Sequence, residues 1–73
     1  MEKALIIGAS SEIGLEVTKL LIKKKYRIYC TYFRNINKLK ILKDKNPKLI
    51  ELINLNLKNL KEVKVFIRNL KEK

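Results

Sequence analysis

Ala4-Leu5-Ile6-Ile7-Gly8-Ala9-Ser10-Ser11-Glu12-Ile13-Gly14 is the stretch that decides the fold. Four apolar residues closed by a glycine read as a strand buried on both faces, as inside a parallel sheet. Beyond the turn the period changes. Ile13, Val17, Leu20 and Leu21 recur at spacings of four, three and one, which predicts a helix with a single apolar stripe running to about Lys24. Arg27 to Tyr32, Arg-Ile-Tyr-Cys-Thr-Tyr, is β-branched and aromatic and predicts a second strand. Two strands joined through a helix in this way are parallel, because an antiparallel pair needs no such crossover.

Leu39, Ile41 and Leu42 belong to a short lysine-rich helix over about Asn37 to Lys45. Asn46-Pro47 ends it, since the residue before a proline avoids the helical region. Leu49 to Leu55 reads as a third strand. Asn59 then serves as N-cap with Glu62 three residues on, a capping-box start. Leu60, Val63, Phe66, Ile67 and Leu70 line one face of the last helix. The expected fold is α/β, in the order βαβαβα. Right-handed crossovers wound one way give the strand order 3-2-1, half of a doubly wound, Rossmann-like parallel sheet. No repeat, linker or low-complexity tract interrupts the chain. Residues 1–73 therefore read as one unit, the N-terminal half of a dinucleotide-binding domain.

Charge and composition narrow the function. Lys and Arg number 18 against seven acidic residues, a net charge of +11. Such a balance admits a second class of function, a small basic module that binds nucleic acid or an acidic protein. Two features count against nucleic acid. The lysines are scattered, with only Lys23-Lys24-Lys25 forming a run, at a helix end where cations complement the dipole. Two Phe, three Tyr and no Trp leave little to stack on bases. The absence of His excludes histidine triads and histidine metal sites. The lone Cys30 lies in a strand-like apolar stretch and reads as a buried, inert thiol. Ala4 to Ile7 is too short for a signal or membrane segment, so a cytoplasmic protein without a membrane partner is expected.

The turn Gly8-Ala9-Ser10-Ser11-Glu12-Ile13-Gly14 lies between a strand and a helix, where free backbone N–H groups and the positive helix end attract a pyrophosphate. Gly8 permits the tight turn, Gly14 lets the helix approach the sheet, and Ser10 and Ser11 bring hydroxyls for phosphate or for capping. The same residues also suit an ordinary strand–helix turn. Arg34, after the second strand, stands where a cation selects the 2′-phosphate of NADP and an acidic residue selects NAD; otherwise it is one more solvated cation. Asn56, after the third strand, reads as a turn residue before the last helix.

Ile7-Gly8-Ala9-Ser10-Ser11-Glu12-Ile13-Gly14 resembles the cofactor loop of the short-chain dehydrogenase/reductase family, Thr-Gly-x-x-x-Gly-Ile-Gly, often with Ala-Ser-Ser in its variable positions. Ile7 replaces the threonine and Glu12 the middle glycine. The resemblance implies an NADP-binding oxidoreductase, with NAD the lesser ligand. Its cofactor residues would be Gly8, Ser10, Ser11, Ile13, Gly14, Arg34, Asn35, Asn56 and Leu57. It spans nearly the whole chain but only the first part of the family's domain. Tyr-x-x-x-Lys, Asn-Asn-Ala-Gly and the catalytic serine of the family do not occur, so the resemblance implies an N-terminal fragment with no catalytic residue. A sheet halted after three strands also leaves Ala4-Leu5-Ile6-Ile7 at an edge open to self-association or to a missing C-terminal piece. Positioned proton transfer supplies ~10²–10⁴-fold in rate. The purified chain is therefore expected to oxidise NADPH with simple aldehydes or ketones no faster than a protein-free control.

Overall fold

A computed structural model describes residues 2–70. The element order is β1 (Lys3–Ile6), α1 (Glu12–Lys23), β2 (Arg27–Tyr32), α2 (Asn37–Lys45), β3 (Ile50–Asn54) and α3 (Leu60–Leu70). The strands form one parallel sheet in the order β1-β2-β3. Ala4 lies beside Ile28 and Ile6 beside Cys30, while Ile28 meets Ile50 and Cys30 meets Leu52 on the other side. Alternate residues of a strand share a face, so these side chains make one apolar surface. Against it pack Leu15 of α1 and Leu39 of α2, with Ala9 of the first turn, to close the core.

The sheet is covered unequally, which corrects the expectation of a first strand buried on both faces. Ala4, Leu5 and Ile6 are half-buried, and Ile7, beyond the strand, is exposed. The reason is position: β1 pairs on one side only, with β2. The face opposite α1 and α2 is partly polar. There Arg27 lies 3.7 Å from Glu51 and 5.7 Å from the centre of the Tyr29 ring.

Both outer helices turn differently from the sequence reading. In α1 the buried residues are Gly14, Leu15 and Thr18, flanked by partly buried Leu21 and Ile22. Ile13, Val17 and Leu20, three members of the expected stripe, are exposed. Small residues bring the helix axis close to the sheet, and the larger apolar side chains are left on its flank. A pattern of large residues cannot register that preference. In α3 the inner residues are Val63, Phe66 and Leu70, all half-buried, whereas Leu60 and Ile67 are exposed. A cavity of about 460 Å³ opens between Ile53–Leu55 and α3, which lines it with Glu62, Val65, Phe66, Asn69 and Leu70 among others.

Local signals explain the boundaries. Ser11 caps α1 by accepting the Gly14 N–H at 3.0 Å. Its C-terminus closes in a Schellman pair, Tyr26 N–H to Leu21 O and Lys25 N–H to Ile22 O, with Lys25 left-handed at φ 63° where glycine is usual. Asn46, before Pro47, leaves the helical region at φ −136°. Asn59 caps α3 through Oδ1, which accepts from Lys61 and Glu62. The reciprocal capping-box bond does not form: the Asn59 N–H goes to Asn56 O, and the Glu62 carboxylate reaches the Asn56 N–H instead. No helix among the described residues is long and apolar enough to cross a membrane.

Cys30 is fully buried, 3.9 Å from the Thr18 hydroxyl. Burial pushes its thiol pKa up, and the Thr18 hydrogen bond offsets part of the rise. The folded state thus favours the neutral thiol. Its contribution to stability is complete below the ordinary thiol pKa of ~8.5 and is lost as pH rises above it. Urea unfolding of wild type and Cys30→Ala should therefore differ by a constant amount up to that pH, and the difference should shift against wild type beyond it. A difference independent of pH would show that the thiol does not titrate as its burial requires.

Candidate functional site

The C-terminal ends of the three strands open onto a cleft of about 500 Å³. Its lining comes from three loops: Gly8 after β1, Thr31 to Arg34 at the end of β2, and Leu55 to Lys58 after β3. In open parallel sheets this carboxyl edge is where ligands bind. Four of the residues singled out in the sequence therefore share one cavity, namely Gly8, Arg34, Asn56 and Leu57. Ser10, Ser11, Ile13, Gly14 and Asn35 are not part of its lining.

The first loop is built around its two glycines, each for a different reason. Gly8 has φ +71°, a conformation that side-chain-bearing residues adopt at a cost, and nothing lies within 4 Å of where a Cβ would sit. The backbone there is open to a ligand. Gly14 is a packing residue: a Cβ would meet Gly8 O at 2.6 Å and Ala9 Cα at 2.7 Å. Loop and helix start are pressed together by the absence of that one carbon.

Hydrogen bonds then fix the loop and divide its donors into two sets. The Gly8 N–H donates to Thr31 Oγ1 at 2.9 Å and the Ala9 N–H to Thr31 O at 2.8 Å. The Ser11 N–H bonds back to Gly8 O, and the Gly14 N–H is taken by the Ser11 hydroxyl. Among the described residues no acceptor faces the N–H groups of Ser10, Glu12 and Ile13. These unpaired donors sit at the start of a 12-residue helix, where the dipole adds positive potential. Glu12 places an exposed carboxylate in the same turn. Ile13, named from the family motif, has its side chain 78% exposed, so only its N–H suits an anion.

The other two loops supply cations, an aromatic surface and a turn. Arg34 is exposed, and its guanidinium carbon lies 5.1 Å from the centre of the Phe33 ring, a cation–π distance. Asn35 is left-handed at φ 57°, so its role here is conformational; asparagine tolerates that region better than most residues. Asn56 accepts the Lys58 N–H at 3.0 Å through Oδ1, the turn role, and still lines the cleft. Leu57 is exposed there.

Five cleft residues were not singled out as site residues in the sequence: Thr31, Tyr32, Phe33, Leu55 and Lys58. Thr31 is the most informative, since it is 2% exposed and holds two loop amides. Its signal was a small hydroxyl residue next to the end of β2. Lys58 carried no signal in a chain so rich in lysine.

No protein-family model matches the chain, and no curated protein matches its sequence. The family resemblance rests on residues 7–14 and on the strand and loop pattern around them.

The packing at Gly14 generates a direct test. Gly14→Ala forces a methyl group into the Gly8–Ala9 backbone and should destabilise the fold by ~1–3 kcal/mol, as overpacking does. Gly8→Ala meets no atom and should cost only the conformational ~1–2 kcal/mol. Urea unfolding of both variants measures this; a neutral Gly14→Ala would mean that helix and loop are not in close contact.

Proposed function

We propose that this chain is the NADP-binding N-terminal part of an oxidoreductase of the short-chain dehydrogenase/reductase type. In this reading the three strands are one half of a doubly wound, Rossmann-like sheet of order 3-2-1. The observation that carries it is the cleft at the carboxyl edge, which gathers Gly8, Arg34, Asn56 and Leu57 from three loops beside the unpaired amides of Ser10, Glu12 and Ile13.

The residues present fit such a cofactor. Open backbone at Gly8 and the three amides suit a pyrophosphate. The Ser10 and Ser11 hydroxyls flank the same turn, the latter while capping the helix. Arg34 with Phe33 beneath it suits a 2′-phosphate on the adenosine ribose, with Asn35 shaping the loop behind it. Leu57 and the Asn56 amide group suit the adenine edge. The cofactor, when bound, supplies hydride chemistry; the residues named here bind and orient its adenosine half. Glu12 beside the amides lowers affinity for any anion by repulsion.

The same reading accounts for the unpartnered side of the sheet. β1 is an edge strand of apolar residues. Ile13, Val17 and Leu20 stand exposed on α1. In the proposal, a further strand and its helix, or failing that a second copy of the chain, covers this side in the cytoplasm.

Arg34 should make binding of NADPH stronger than that of NADH, because a charge-assisted hydrogen bond contributes ~1.5–3 kcal/mol, roughly 10- to 150-fold. Calorimetric titration of both cofactors against wild type and Arg34→Ala tests it. The preference should vanish in the variant; equal affinities in wild type would refute the NADP assignment.

A further inference from the structure

Thr31 stands at the junction of the sheet and the first loop, and no motif led to it. It is 2% exposed, yet it is polar and reaches the cleft. Its hydroxyl oxygen accepts the Gly8 N–H, and its carbonyl accepts the Ala9 N–H. These two bonds come after the last β1–β2 pair, Ile6 with Cys30. They extend the ladder past the strand end, one of them through a side chain.

The side-chain bond matters more than a ladder bond would. Glycine crosses readily between left-handed and right-handed backbone regions, so the peptide before Gly8 has little intrinsic preference to keep its N–H where it is. Nothing packs against Gly8 on the side where a Cβ would lie. The Thr31 hydroxyl is the acceptor that holds this N–H in the described structure. That peptide is joined through the φ torsion of Gly8 to the next one, whose Gly8 O accepts the Ser11 N–H that closes the turn and whose Ala9 N–H is held by Thr31 O. The unpaired amides of Ser10, Glu12 and Ile13 thus follow a chain of contacts that begins at Thr31, with the hydroxyl holding the peptide before Gly8 and the carbonyl the peptide after it.

We infer that Thr31 is the positioning residue of the anion-binding loop, its hydroxyl fixing Gly8 so that the Ser10, Glu12 and Ile13 amides converge on one phosphate group. This rests on the cofactor-loop reading of residues 8–14 given above. Binding energy toward the pyrophosphate should depend on Thr31, whereas binding toward the adenosine 2′-phosphate, which Arg34 serves from the next loop, should not.

Thr31→Val keeps the shape and removes the acceptor; Thr31→Ser keeps the acceptor. The test titrates the full chain and both variants with NADPH and with adenosine 2′-monophosphate, which has no pyrophosphate, and follows the Gly8 and Ala9 amides by hydrogen exchange. Thr31→Val is expected to weaken NADPH about 10-fold while leaving adenosine 2′-monophosphate within about 2-fold, and Thr31→Ser to restore NADPH. Gly8 alone should lose exchange protection in Thr31→Val, with the β2 amides unchanged. Equal losses for the two ligands, no loss for either, or no rescue by serine would overturn the inference. A Thr31→Val chain that does not fold would also overturn it, making the hydroxyl a folding element. If wild type binds neither ligand, the cofactor reading fails by itself. The positioning of Gly8 is then decided by exchange alone: selective loss at Gly8 sustains it, and unchanged protection removes it.

Discussion

The contact on which the rest depends is the close approach of α1 to the first loop at Gly14. With no side chain there, the helix start rests on the Gly8–Ala9 backbone, at a spacing where a single added carbon would lie 2.6 Å from a carbonyl oxygen. That approach sets the rotation of α1. Gly14 and Thr18 face inward one turn apart, and the Thr18 hydroxyl satisfies itself by donating to Gly14 O at 2.8 Å. Once the axis is this close, Leu15 reaches the core, and the larger Ile13, Val17 and Leu20 have no room on the inner side. The same approach brings the amides at the start of the helix up to the carboxyl edge of the sheet, beside the cleft.

Much of this was legible in the sequence. The element order follows from punctuation by Gly8, Asn46-Pro47 and Asn59 and from the shift between runs and helical spacing; β2 and α2 have the bounds that their residues suggest. What was not legible has a common physical origin. Periodicity weighs side chains by hydrophobicity and is blind to glycine, so it placed the α1 stripe on Ile13, Val17 and Leu20 when close packing favours the smallest residues. It likewise assigned Leu60 and Ile67 to the inner side of α3, where Val63, Phe66 and Leu70 lie. The half-buried state of β1 is a property of topology: four apolar residues look the same whether a strand is central or at an edge.

The site divides along the same line. Gly8, Arg34, Asn56 and Leu57 follow strand ends, and in a parallel sheet all strand ends of one sense meet at one edge, so their convergence follows from the fold order alone. Gly14 and Ser11 belong to the same motif but act on the scaffold, one by packing and one by capping. Asn35 is explained by its backbone angle. Thr31 escaped notice because its part is played across a sequence separation of 23 residues, which no local pattern can express.

Several cations that contribute to the +11 total are engaged in holding the chain together. Arg27 donates to Lys48 O and lies beside Glu51; Lys43 donates to the carbonyls of Pro47 and Ile50, tying the end of α2 to the start of β3. Lys19 pairs with Glu16 on the surface of α1. Lys25 fills the left-handed position that closes that helix. In the cleft itself the cations are Arg34 and Lys58, one from each of two loops. A surface that tracked a polyanion would need its cations aligned along one face. The cations named above instead come from α1, β2, α2 and loops, and several of them are tied to carbonyls and carboxylates of the fold. In the proposed reading Arg34 and Lys58 serve a phosphate or two on a small molecule, and the positive balance elsewhere raises the local concentration of anions without selecting one.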